Sequence, residues 1–115
     1  MSFIEKLNSI WEENDSLVCV GLDPDLERFP KSIRDFPDAI FQFNKRIIDA
    51  THDLVCAYKP QIAYFSAESA EDQLTKTIQY IQSEYPSIPI ILDSKRGDIG
   101  STANKYAVEA FERFK

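Results

Sequence analysis

One stretch of the chain organises the rest of the sequence: Ile90-Ile91-Leu92-Asp93-Ser94-Lys95-Arg96-Gly97-Asp98-Ile99-Gly100-Ser101-Thr102-Ala103. Its first part is apolar and β-branched, which predicts a buried strand over residues 88–93. Side chains alternate between the faces of a strand, so Asp93 and Lys95 are expected to point the same way, roughly 6–7 Å apart at their Cα atoms. Gly97 lets the chain turn, and Asp98 follows within reach. An Asp–Lys ion pair that caps a strand is the simplest interpretation; a reactive charge cluster is the alternative.

Two earlier apolar runs predict two further strands, over residues 17–22 and 54–58. Each run is followed by a charged residue and then a proline, Asp23-Pro24 in the first case and Lys59-Pro60 in the second. A proline cannot donate to a sheet ladder, so it bends or ends the strand there. Asp23 alone is typical of a turn, whereas a lysine on a buried strand is unusual unless it is paired. Residues 61–65 are expected to continue the second run.

Helical spacing of apolar residues predicts four helices between and around these strands. Ser2 and Glu5 form a possible capping box for the first helix, which ends near Asn14-Asp15-Ser16. The others are expected over residues 37–50, 67–82 and 101–114. The last should bury five side chains, Ala103, Tyr106, Ala107, Ala110 and Phe111. Repeated strand–helix units predict parallel strands, whose carboxyl ends, with their charged residues, are where α/β folds build active sites.

Composition narrows the class of partner. The chain has 115 residues, 43% hydrophobic and 28% charged, with a formal net charge of −6. That charge argues against nucleic acid or an anionic membrane surface as a partner, although a few local cations can still hold a small anion. No apolar run approaches the ~20 residues of a membrane helix, and the first residues lack a signal-peptide pattern.

The cysteines and the single histidine suggest no chemistry of their own. Cys19 and Cys56 lie in apolar runs and are expected to be buried free thiols in a reducing, cytoplasmic compartment, with a disulfide or metal pair as the minor alternative. His52 falls near a helix end without a partner at catalytic spacing. No dinucleotide-binding, phosphate-loop or zinc-ligand motif is present.

The residues from Asp93 to Ala103 resemble the D-x-K-R-G-D-I-G-x-T-A motif of the orotidine 5′-phosphate decarboxylase family, in particular its bacterial branch with longer chains. Two shorter matches stand in the expected order, Val20-Gly21-Leu22-Asp23-Pro24 and Tyr58-Lys59-Pro60-Gln61. The resemblance extends over essentially all 115 residues. Its long third motif is specific, and the two shorter ones gain weight from their order.

The resemblance implies a (β/α)₈ TIM barrel, an α/β fold. A whole barrel takes about 250 residues. We therefore expect residues 1–115 to form the N-terminal part of a single barrel domain: its N-terminal helix and about three βα units. The remaining strands, the loop over the base and the phosphate-binding groups are expected elsewhere. The resemblance also leads us to expect a glycine around residues 66–70, where Ser69 stands instead.

The resemblance further implies an activity: decarboxylation of orotidine 5′-monophosphate to uridine 5′-monophosphate in pyrimidine biosynthesis, without metal or organic cofactor. Lys95 would be the proton donor to C6 of the pyrimidine. Asp93 would lie beside the departing carboxylate, and Lys59 and Asp98 would complete an alternating array of charges.

Other residues would bind the substrate or complete the site from a second subunit. Asp23 and Lys59 would bind ribose hydroxyls. The resemblance implies a homodimer with shared active sites, in which Asp98 and Thr102 come from the partner.

Two alternatives remain open. One is a metal-dependent sugar-phosphate decarboxylase or aldolase that shares D-x-K-x-x-D, against which Arg96-Gly97 and Ile99-Gly100-Ser101-Thr102-Ala103 speak. The other is a non-catalytic half-barrel that self-associates or docks to a complementary chain.

Overall fold

The computed structural model describes all 115 residues. It contains two regular strands and six α-helices, which are α1 (Phe3–Asn14), β1 (Cys19–Leu22), α2 (Lys31–Arg34), α3 (Ala39–Thr51), β2 (Ala57–Pro60), α4 (Ile62–Ser66), α5 (Glu71–Glu84) and α6 (Gly100–Val108). A 3₁₀ turn, Leu26–Arg28, precedes α2, and a π-helical turn, Glu109–Arg113, follows α6.

Helix α1 begins and ends as its sequence predicts. The backbone N–H of Glu5 donates to Ser2 Oγ over 3.3 Å, and the Glu5 carboxylate accepts from the Ser2 N–H over 2.7 Å, which confirms the capping box. Asp15 ends the helix in the left-handed region, at φ 46°. The Asn14 amide then donates to the carbonyls of His52 and Val55. These two bonds attach α1 to the chain that leads into β2.

The sheet is parallel, as predicted. Strand β1 pairs with β2 in a register that joins Cys19 to Ala57 and Leu22 to Pro60. The third predicted strand lies on the other side of β2, but it forms two parallel bridges, Tyr58–Ile90 and Gln61–Asp93, rather than a continuous strand.

Pro60 explains the interruption of the third strand. Tyr58 N donates to the Pro89 carbonyl, and its own carbonyl accepts from Ile91 N. The next donor along this edge of β2 is Pro60, which has no N–H. Pairing resumes one step later, where Asp93 N donates to the Pro60 carbonyl over 2.9 Å. Residues 90–93 thus run parallel to β2 in the predicted direction, but the hydrogen bond that residue 60 would donate is missing.

Several predicted boundaries were wrong. Strand β2 occupies residues 57–60 instead of 54–58, and residues 61–65 form helix α4 instead of extending the strand. The helix turns both Ile62 and Phe65 into the core, which one extended strand with alternating faces would not do. Strand β1 occupies residues 19–22 instead of 17–22, and Leu17 and Val18 before it lie exposed. The helix expected over 67–82 is α5, displaced to 71–84.

The core consists of two groups of buried side chains. The first joins α2, α3, α4 and α5, and its members include Phe29, Ile40, Phe65, Leu74 and, from the last residues of the chain, Phe114. The second packs α1, α3 and α5 against the sheet, and its members include Ile10, Leu22, Ile48, Tyr58 and Ile81.

Both cysteines are free, as predicted, but only Cys56 is buried. The predicted burial of Cys19 was wrong because Cys19 lies on β1, which has a paired neighbour on one side only. His52 caps the end of α3 and stacks on Tyr85, with ring centroids 4.4 Å apart.

Helix α6 is packed less closely than predicted. None of its residues is buried, and Phe111 in the turn that follows is 76% exposed. A groove of about 600 Å³ separates this segment from Ile78, Ile90 and Leu92. A βα helix normally lies over the crevice between two strands, and residues 88–93 have a neighbouring strand on one side only. The predicted burial of the α6 face was therefore wrong. No helix in the structure is long and apolar enough to cross a membrane.

Candidate active site

Asp93 lies between two lysines at the carboxyl end of the sheet. Its Oδ2 is 2.5 Å from Lys95 Nζ and 3.6 Å from Lys59 Nζ. The Asp93 side chain is only 17% exposed, whereas Lys59 is 40% and Lys95 70% exposed. The structure thus brings together three of the six predicted site residues in one cluster of alternating charge.

Sheet pairing places Lys59 and Asp93 beside each other. Lys59 lies on β2, and the next residue, Pro60, accepts a hydrogen bond from Asp93 N. The Asp93 carbonyl then accepts from Ile62 N over 3.0 Å, at the start of α4. The backbone of Asp93 is therefore held on both sides by the segment that carries Lys59.

Lys95 meets Asp93 for a reason other than strand alternation. Its backbone lies in the left-handed region, at φ 47°, so it is no longer on the strand. This conformation costs a residue with a Cβ about 1–2 kcal/mol and is often found at functional sites. The prediction that Asp93 and Lys95 approach was confirmed, but a turn brings the ammonium back to the carboxylate.

The two ammonium groups lower the pKa of Asp93. The hydrogen bond from Lys95 has the largest effect, and the charges of Lys95 and Lys59 act in the same direction, against a smaller rise caused by burial. Asp93 therefore stays ionised at neutral pH. Because its pKa is lower in the folded state, the pairing stabilises the fold above the ordinary aspartate pKa and is lost as pH falls through the lowered value.

The other three predicted residues do not join this cluster. Asp98 is exposed, and its carboxylate accepts a 2.7 Å hydrogen bond from Ile99 N. Asp23 is exposed directly after β1, at the same end of the sheet, but forms no ion pair with Lys59. Thr102 lies in the first turn of α6 and is partly exposed. Their proposed roles stay predictions.

One contact near the site was missed in the sequence. Arg96 Nε lies 3.1 Å from Glu109 Oε1, and its guanidinium lies over the Tyr106 ring, 5.6 Å from the centroid. Arg96 was singled out only as a motif residue. Glu109 is 13 positions away, and no local spacing rule joins a loop residue to a helix at that distance.

No group of three or more histidine, cysteine, aspartate or glutamate side chains in the structure is arranged to hold a metal ion.

The structure is that of an α/β protein, with parallel strands and helices between them. Its charge cluster lies at the carboxyl ends of the strands, where α/β barrels have their active sites. The chain matches the family model "Orotidine 5'-phosphate decarboxylase / HUMPS family" over residues 16–114, and it belongs to that family.

Individual relatives agree with this assignment. The orotidine 5′-phosphate decarboxylase of Cellvibrio japonicus is 68% identical to this chain over an alignment of 116 positions, which covers 99% of this chain and 42% of that protein. The enzyme of the same name from Dechloromonas aromatica is 61% identical, over 100% of this chain and 43% of that protein. The solved OMP decarboxylase of Leishmania donovani superposes with a TM-score of 0.79 at 37% identity, over 99% of this chain and 41% of that one.

These comparisons confirm the predicted fold class. The structure corresponds to the N-terminal part of the TIM barrel of these relatives. The chain spans about two fifths of the length of the curated relatives it matches.

Proposed function

We propose that this chain provides the charges at the reacting centre of an orotidine 5′-monophosphate decarboxylase, which forms uridine 5′-monophosphate in pyrimidine biosynthesis. The observation that carries the proposal is Asp93 held between Lys59 and Lys95 in a member of this family. We further propose that it acts in the cytoplasm, a reducing compartment suited to the free thiols of Cys19 and Cys56.

The chemistry requires a cation beside one carbon atom. The bond between C6 and the carboxylate breaks, CO₂ leaves, and the electron pair stays on C6, where it is poorly delocalised. An ammonium there stabilises the developing charge and then gives its proton to C6. Lys95 is the residue for this step, since its ammonium lies beside Asp93 while its side chain as a whole is 70% exposed. Asp93 favours the charged form of Lys95 and holds it in place.

The neighbouring residues complete the proposed site. Asp93 would face the substrate carboxylate, a like-charge contact that disappears when CO₂ leaves. Lys59 would bind a ribose hydroxyl from β2, and Asp23 would do the same from the end of β1. Their support is their place at one end of the sheet, because the register pairs Leu22 with Pro60.

A chimera tests the proposal. This chain would replace the matching segment of the Cellvibrio japonicus relative, with which it is 68% identical. We expect the chimera to consume orotidine 5′-monophosphate in an ultraviolet absorbance assay, also in the presence of a chelator. A chelator-sensitive activity would instead favour the metal-dependent relatives. A folded chimera with no activity would contradict the proposal.

The Lys95→Ala variant of the chimera tests the role of that residue. We expect kcat to fall by about 10²–10⁴-fold, with a much smaller change in nucleotide binding, because the charge acts mainly in the transition state. Lys76→Ala is the matched control, since Lys76 is an exposed lysine on α5. If Lys95→Ala keeps a kcat near the unaltered value, Lys95 is not the proton donor.

We also propose that the active enzyme is a homodimer in which Asp98 and Thr102 reach the site of the partner subunit. The exposure of Asp98, away from the Asp93 cluster of its own chain, supports this arrangement. A Lys95→Ala chimera mixed with an Asp98→Ala chimera should then recover activity, because each hybrid dimer contains one intact site. Two inactive variants that stay inactive after subunit exchange would contradict shared sites.

A further inference from the structure

The side chain of Arg96 connects the loop after Asp93 to the C-terminal end of α6. Its Nε lies 3.1 Å from Glu109 Oε1, and its guanidinium carbon lies 5.6 Å from the centroid of the Tyr106 ring. This pair is partly buried, with Arg96 34% and Glu109 24% exposed. An arginine suits both contacts, because its planar guanidinium can donate to a carboxylate and stack on a ring at once.

Little else holds the backbone next to Arg96. No backbone–backbone hydrogen bond involves residues 94–98, and none of the residues of α6 is buried. Lys95 nevertheless keeps a left-handed conformation, at φ 47°, which strained residues keep only where their surroundings impose it. The surroundings of Lys95 must therefore act through side chains.

The two neighbouring side chains extend in opposite directions along the chain. Lys95 reaches back two residues to Asp93, and Arg96 reaches forward thirteen residues to Glu109. A chain fixed at both ends in this way has little freedom to relax the turn at Lys95.

We propose that Arg96 is a positioning residue: by binding Glu109 and Tyr106, it holds the backbone of Lys95 in the conformation that brings the Lys95 ammonium to Asp93. Arg96 itself does not touch the reacting atoms. The importance of Arg96 for catalysis rests on the proposed function. The positioning of Lys95 does not, and it can be measured in the 115-residue chain without an activity assay.

The readout is the pKa of Asp93, measured by carboxyl-carbon NMR during a pH titration. Lys59 and Lys95 are the charged groups that face Asp93, and the hydrogen bond from Lys95 has the largest effect on its pKa. A displaced Lys95 must therefore raise this pKa. Lys95→Met gives the size of the rise when the ammonium is absent.

The variants Arg96→Gln and Glu109→Gln together distinguish loss of positioning from the direct electrostatic effect of each charge on Asp93. The direct effects have opposite signs: removing the cation of Arg96 raises the pKa of Asp93, and removing the anion of Glu109 lowers it. Loss of positioning instead predicts that the pKa of Asp93 rises in both variants, by less than it rises in Lys95→Met. Arg28→Gln is the control, since Arg28 forms an exposed ion pair with Asp25, at 3.3 Å, and should leave the pKa of Asp93 unchanged.

A charge exchange tests the pair itself. The double variant Arg96→Glu with Glu109→Arg should bring the pKa of Asp93 back toward its original value. In the active chimera, Arg96→Gln should lower kcat by about 10-fold or more with little change in KM.

Three results would overturn the inference: an unchanged pKa in Arg96→Gln, shifts of opposite sign in the two single variants, or no recovery in the exchanged pair. Backbone amide spectra check that each variant is folded, and Arg96→Lys gives a milder change if Arg96→Gln is not. If the chimera is active but the pKa of Asp93 is unchanged in the Arg96→Gln variant, the proposed function is retained and only the role of Arg96 is refuted.

Discussion

The chain up to residue 89 and the chain after it are stabilised in different ways. Every buried residue but Phe114 lies in the first region, where one apolar group joins helices to each other and the other joins helices to the sheet. The second region contains Asp93 and Lys95, the groove beside α6 and the exposed Phe111. The charge cluster joins the two regions, because Lys59 belongs to the first and Asp93 and Lys95 belong to the second.

The difference shows that most of the buried packing lies outside the segment that carries the proposed catalytic residues. Close packing of buried side chains determines the geometry of the first region, so the loss of a single methyl group there lowers stability. The second region has few buried contacts, and its exposed ion pairs contribute only about 0–1 kcal/mol each. Regions with few buried contacts open locally at low free-energy cost, so we expect residues 94–115 to exchange amide hydrogens first.

The largest expected effect concerns turnover by the 115 residues alone. We expect no measurable loss of orotidine 5′-monophosphate, because the Lys95 side chain is 70% exposed and water screens the charges that must act on C6. The measurement is ultraviolet absorbance on a preparation of known mass, with the chimera as the positive control. Turnover by the chain alone would show that the second region already forms a working site.

A pair of truncations compares the two regions directly. Leu74 is fully buried, so Leu74→Ala should lower the free energy of unfolding by about 2–5 kcal/mol. Phe111 is 76% exposed, so Phe111→Ala should change it by less than about 0.5 kcal/mol, although it removes the larger side chain. Urea unfolding measures both. Equal losses in the two variants would contradict the division into a packed and a loosely packed region.

Acid should weaken one contact of the first region. Asp49 accepts hydrogen bonds from Lys45, Tyr80 and Tyr85. Partial burial alone would raise the pKa of Asp49, but these bonds outweigh it and lower the pKa to about 2. The bonds therefore stabilise the fold above about pH 4, the ordinary range of an aspartate, and this stabilisation is lost as pH falls toward about 2.

We expect Asp49→Asn to lower the free energy of unfolding by about 1 kcal/mol at neutral pH. This is less than the full pKa shift implies, since 35% of the side chain is exposed and solvent screens it. The difference from the unaltered chain should shrink as pH falls below about 4. Asp35→Asn, at an exposed residue without an ion pair, is the control. A difference that grows in acid would reverse the assigned sign.

The smallest expected effect is at Ser69, which has φ 52° between α4 and α5. Glycine adopts this region without strain, so Ser69→Gly should stabilise the fold by about 0.5–1 kcal/mol after its greater unfolded entropy is counted. Ser66→Gly, within α4, should instead destabilise by up to about 1 kcal/mol. Thermal unfolding measures both. A destabilised Ser69→Gly would mean that the serine side chain matters more than its backbone.

Local patterns predicted much of the molecule. The Ser2–Glu5 box, the order of the parallel strands and the approach of Lys59 and Lys95 to Asp93 could all be predicted. Each of these features depends on neighbours within a few residues or on the strand-end rule of parallel sheets. The family resemblance, not a local pattern, led us to expect a glycine around residues 66–70, and Ser69 there has a positive φ.

Tertiary structure decided the rest. Residues 61–65 became helix α4 because the core accepts both Ile62 and Phe65, a choice that an apolar run alone leaves open. The missing hydrogen bond at Pro60 became visible only once the edge that this residue faces was known. The left-handed turn at Lys95 and its partner contact from Arg96 to Glu109 depend on where α6 lies. Sequence patterns report which side chains prefer to be buried or capped, whereas the partner that satisfies each one is determined by packing among residues far apart in the chain.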